Sequence, residues 1–125
     1  ELERKPVDDY LRFMMTSVEG KYEYGIAFLN KYPNSCLCKK VNNEVATALS
    51  LHGKYDEAIL FFNNALSGNY NAASWEKNDI LNQLAWTLYK KGDVKAAINT
   101  MEQMEDSYYK NSYLLLWKQE ISEKK

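Results

Sequence analysis

The sequence is poor in most of the residues around which active sites are built. Its 125 residues include one histidine, two cysteines, two prolines and five glycines. Cys36 and Cys38 stand two apart, and with His52 as the single imidazole they fall short of a structural zinc site or a disulfide framework. Positions i and i+2 of a helix point apart, so a bridge between these cysteines would be strained. They read as small, semi-buried side chains of a reduced protein, a usage that leans towards the cytosol. Charge of one sign is missing too: 16 Lys and Arg against 17 Asp and Glu leave a net charge of −1. That balance, with Lys39–Lys40 and Lys90–Lys91 set apart by acidic and neutral stretches, gives no footprint for nucleic acid or an anionic membrane.

Long apolar runs are also absent. Spanning a bilayer takes about 20 apolar residues, and a candidate such as the five-residue stretch Tyr113-Leu114-Leu115-Leu116-Trp117 is far too short. No direct membrane insertion is expected of this chain. The charged opening Glu1-Leu2-Glu3-Arg4-Lys5 is no signal peptide; lacking Met, it fits a processed or truncated chain with an upstream anchor or targeting segment missing. Cys36 and His52, the only Cys–His pairing, are expected near opposite ends of one helix. The phosphate-loop pattern G-x-x-x-x-G-K is not present, since Ile26 follows Gly25. No catalytic, cofactor-binding or metal-binding residues are therefore expected, and the chain does not read as an enzyme.

What is present is a large apolar fraction, 46% with 14% aromatic residues, ample for the core of one domain spanning 1–125. The apolar residues recur at threes and fours, the helical period. Seven helices are expected, at about 6–19, 21–31, 35–51, 55–66, 73–91, 94–104 and 112–123. Gly20, Gly53 and Gly92, spaced by 33 and 39 residues, each follow a helical run. Each suits a helix end, where a left-handed backbone excludes a Cβ. Such spacing is that of a helix–turn–helix repeat.

The middle unit sharpens this. Val45, Ala46 and Leu49 are followed by Gly53-Lys54-Tyr55, then by Ala58, Phe62 and Ala65-Leu66. Ala46 and Ala58 would let two helices approach closely, with Tyr55 and Phe62 filling the space beside them. The pattern returns as Leu81, Leu84, Ala85, Leu88, Gly92, Val94, Ala97 and Met101, with Met104 in place of a small residue. On these residues the chain resembles the tetratricopeptide repeat family, strongly in the middle and poorly at the start. There only Gly20, Tyr22, Gly25 and Leu29 follow the pattern, and Phe13 and Tyr32 stand where small residues are usual. Tyr70 and Tyr109 replace the family's closing proline, and residues 67–71 lengthen the second link. The resemblance implies an all-α array, an α-α superhelix, of about three hairpin units (6–34, 39–71 and 78–109) with a C-terminal capping helix at 112–123.

The resemblance further implies a concave groove lined by the first helix of each unit, where a peptide binds. Spacing at fours and threes places Tyr10, Met14 and Ser17 on that side in the first unit, Asn43, Thr47 and Ser50 in the second, and Asn82, Trp86 and Tyr89 in the third. Trp86 and Tyr89 keep two readings, groove contact or contact with a neighbouring helix. The family's chaperone-binding clamp uses cations where this chain has Tyr10, Met14 and Gln83, so a neutral, aromatic and polar peptide is the implied partner. The expected role is a protein–protein interaction scaffold. The alternative is a structural or assembly module of a longer or membrane-anchored protein, meeting a folded partner or another copy of itself. Weak self-association would then run through the C-terminal helix.

Overall fold

The computed structural model describes residues 4–67 and 74–123, and every regular element among them is helical. The helices are α1 (Arg4–Met14), α2 (Val18–Lys31), α3 (Cys38–Leu51), α4 (Tyr55–Leu66), α5 (Ser74–Lys91), α6 (Val94–Glu102) and α7 (Tyr108–Glu123). The chain divides into two compact units, Glu1–Gly68 and Asn69–Lys125. The long link at 68–71, with Tyr70, lies outside the described residues.

The turn from α3 to α4 and the turn from α5 to α6 are built alike. The amide of Lys54 donates to the carbonyl of Leu49 and that of Asp93 to Leu88, each at 2.9 Å. Between them Gly53 and Gly92 take the left-handed conformation, with φ of 78° and 104°. This is the helix-ending geometry that a Cβ disfavours. The residues that follow repeat as well: Ala58 and Ala97 are fully buried, as are their counterparts Ala46 and Ala85 on α3 and α5. Every one of these pairs is offset by 39 residues. Asp93 additionally caps α6, its carboxylate accepting from the Ala96 amide at 3.2 Å.

Gly20 departs from the expectation. It does not end a helix but lies in the first turn of α2, and α1 stops five residues earlier than expected. The break is set by Ser17, whose backbone is extended at φ −63° and ψ 163°. Ahead of it the Thr16 hydroxyl donates to the Arg12 carbonyl at 2.8 Å. Gly20 is small for another reason, since a Cβ there would come within 2.7 Å of the Thr16 methyl. Other boundaries move too: α2 starts at Val18 instead of 21 and α6 ends at Glu102 instead of 104. The Ser35 hydroxyl accepts from the Leu37 amide, holding 35–37 in a turn, so α3 starts at Cys38. Ser107 accepts from the Lys110 amide at 3.1 Å, and α7 begins at Tyr108 instead of 112.

In the first unit the core joins Phe13 and Phe28 to Val41, Val45, Leu49 and Phe62. Gly25 lets α2 meet its neighbours, for a Cβ there would lie 2.2 Å from Val45 Cγ2 and 3.1 Å from the Phe13 ring. Lys21 is buried along its stem, with its ammonium 4.8 Å from the Phe13 ring centre and 3.4 Å from Glu44 Oε1. Asp9 ties α1 to the end of α2. It accepts from the Tyr32 hydroxyl at 2.5 Å and pairs with Lys31 at 3.2 Å. The second unit buries Ile80, Leu81, Leu84 and Leu88 of α5 against Ile98 and Met101 of α6 and Leu114 and Trp117 of α7. Its buried Lys110 ammonium is satisfied by the carbonyls of Glu102 (3.2 Å) and Met104 (2.8 Å) and by Asp106 Oδ1 (3.1 Å). A cation thus closes the end of α6, where carbonyls lack helical partners.

Candidate functional site

Of the candidate residues in the first unit's opening segment, Tyr10 turns inward while Met14 and Ser17 are exposed. Tyr10 is half-buried, its ring 6.2 Å from Phe13 and 6.4 Å from Phe28. Burial, and then the Glu44 carboxylate, push its phenol above the ordinary range. The Met14 sulfur lies 3.9 Å from the Lys21 ammonium, and Ser17 is exposed in the α1–α2 turn. On α3, Asn43, Thr47 and Ser50 are half-buried, and the Thr47 hydroxyl donates back to the Asn43 carbonyl at 2.9 Å. Lys21, touching Met14 on one side and Glu44 on the other, lies between the two sets. In the sequence it showed only as part of a repeated Gly-Lys-Tyr.

In the second unit the structure brings Asn82, Trp86 and Tyr89 together with α7. The Trp86 ring lies 4.9 Å from Tyr113, 5.1 Å from Trp117 and 5.7 Å from Tyr89, edge to face in each case. Its indole N–H donates to the Tyr109 hydroxyl at 2.8 Å, and that hydroxyl donates to Asn82 Oδ1 at 2.9 Å. The Tyr89 hydroxyl donates to Glu120 Oε1 at 3.1 Å, and this bond raises the Tyr89 phenol pKa. Trp86 and Tyr89 are half-buried, with their rings against Tyr113 and Trp117 of α7. The earlier start of α7 explains this, since it places Tyr109 and Tyr113 on helical turns that reach Trp86. Sequence reasoning took Tyr109 as a substitute for a proline and missed Asn78 and Glu120.

Among the described residues, hollows open on these surfaces. One of about 210 Å³ lies between α1 and α2, floored by Phe13 and Phe28 with Arg12 and Lys31 at its rim. Another, of about 280 Å³, is edged by Glu19, Tyr22, Glu23, His52 and Glu57. A third, in the second unit, is a shallow and widely open depression among Asn78, Asp79, Asn82, Met104 and Tyr109. Cys36 is exposed ahead of α3, while His52 caps its far end. Among the described residues no three or more His, Cys, Asp or Glu are grouped to hold a metal ion, and no helix is long and apolar enough to cross a membrane. No family model, curated protein or solved structure matches the chain.

Proposed function

We propose that this chain is a protein–protein interaction scaffold, not an enzyme, in which tetratricopeptide-like hairpins present a face to a peptide segment of another protein. The observation that carries the reading is the duplicated hairpin. Buried alanines at 46 and 58, and again at 85 and 97, are joined by glycine turns with the same hydrogen bonds. Small residues allow such close helix contact, and half-buried polar side chains such as Asn43, Thr47 and Asn82 stand beside it on the first helices. Helical repeats bind extended or helical peptides on faces of this kind.

The test is selection of peptides from a random linear library on the intact chain. Saturable binding that Asn43→Ala/Thr47→Ala or Asn82→Ala weakens, with helix content unchanged, supports the reading. A library from which nothing enriches overturns it. A second reading, assembly through α7, is favoured by Leu115 and Leu116, which remain 61% and 56% exposed beside the buried Leu114 and Trp117. Sedimentation decides it. Self-association abolished by Leu115→Lys supports assembly, and a strict monomer at high concentration removes it.

A further inference from the structure

The hollow of about 210 Å³ between α1 and α2 is opened by one small side chain. From α2 it takes Tyr24, Ala27, Phe28 and Lys31, spaced by three, one and three residues and so on one side of the helix. Ala27 is the short member of that row and is exposed, so the depression lies over it, walled by Tyr24 a turn before and Lys31 a turn after. Phe28, with Phe13 of α1, gives the space an apolar floor.

The rim carries two cations and one carboxylate. Asp9 is engaged by the Tyr32 hydroxyl and by the Lys31 ammonium at 3.2 Å, so Lys31 and Asp9 neutralise each other. Arg12 makes no ion pair among the described residues, and its guanidinium is the surplus positive charge of the hollow. Tyr24 is likewise unengaged. Its side chain is 57% exposed and, among the described residues, makes no hydrogen bond and no contact with another ring. A guanidinium forks onto a carboxylate, and an unstacked ring beside apolar ground takes a second ring. An apolar cavity of about 150 Å³ holds benzene, so the space suits a single ring with a short acid arm. We infer that the hollow is a binding site for a small aromatic carboxylate, its acid group paired with Arg12 and its ring over Ala27 between Tyr24 and Phe28. The site shares no residue with the proposed peptide face and stands independently of it.

The probes are benzoate and phenylacetate, titrated into the intact isotope-labelled chain at low ionic strength. The backbone amides of Arg12, Ala27 and Phe28 shift saturably with at least one of them. The neutral counterpart, benzamide or phenylacetamide, binds roughly ten-fold more weakly, the loss of a charge-assisted pair. Acetate, which has the charge without the ring, gives no saturable shift. Arg12→Gln removes the preference for the acid over the amide at unchanged helix content. Ala27→Leu, a good helix former at an exposed position, fills the hollow and abolishes binding while the far-ultraviolet spectrum stays the same. The assignment is overturned if neither acid gives a saturable shift. It is overturned equally if the amide binds as tightly as its acid, or if Ala27→Leu leaves the affinity unchanged.

Discussion

Tyr89 and Trp117 lie ring on ring, their centroids 4.9 Å apart and their planes 12° from parallel. This stack fastens α7 to α5, and Trp117, only 3% exposed, is its buried half. Trp117→Ala should therefore cost about 3–5 kcal/mol of stability, the range for deleting a buried large aromatic. Trp86→Ala, at a half-buried position within the same rings, should cost less, about 1–3 kcal/mol. Neither should act as a surface substitution. Urea unfolding followed by far-ultraviolet circular dichroism gives both values, and a loss under about 0.5 kcal/mol for Trp117→Ala would contradict the arrangement.

Gly25→Ala should overpack the first unit, because the new methyl would meet Val45 Cγ2 at 2.2 Å. The expected loss is about 1–3 kcal/mol. Val45→Ala removes the obstructing group, so the double variant should lose less than the sum of the two single losses. Additive losses in that cycle would show that Gly25 is small for some other reason.

The Asp9–Lys31–Tyr32 cluster predicts a window of pH. The Tyr32 hydroxyl, ahead of Lys31, holds the Asp9 carboxyl below its ordinary 3.8. A lowered folded pKa contributes stability that is present above about 3.8 and lost as pH falls through the folded value. Tyr32 and Lys31 are shifted up, chiefly by bonding to Asp9, so their contribution is present below their ordinary ranges and lost as pH rises through the folded values. The stability difference between the unsubstituted chain and Tyr32→Phe should accordingly be constant near neutrality and shrink at both extremes. Thermal melts of the two proteins across pH test this. A difference that does not change with pH would remove the linkage.

Lys110→Met should destabilise the second unit by about 1–3 kcal/mol although it adds no bulk. The carbonyls of Glu102 and Met104 lose the ammonium that satisfies them. Hydrogen exchange should speed first at the end of α6 and the start of α7. Uniform acceleration across all helices would place the role of Lys110 elsewhere.

Much of the hairpin chemistry was legible because it is local. Ala46, Gly53, Ala58 and Phe62 declare a close helix pair through size and spacing alone, and α4 falls at the expected residues. Gly20 shows where such reasoning stops. A glycine that ends a helix and a glycine beside a neighbouring methyl look the same in sequence, and only backbone angles and distances separate them. The Trp86 environment was illegible for a different reason. Which side of α5 is covered depends on where α7 begins, and one serine, Ser107, sets that start four residues early.

The two buried lysines have a practical consequence. Lys21 belongs to the first unit and Lys110 to the second, and each holds its amine against protein acceptors, largely out of water. An amine-reactive acylating reagent will modify the exposed lysines first, such as Lys54 and Lys95, and reach these two only when their surroundings open. Peptide mass mapping of a labelling time course then yields two separate opening rates from one sample. It thereby reports, without any engineered probe, whether the two halves of the chain come apart together or in turn.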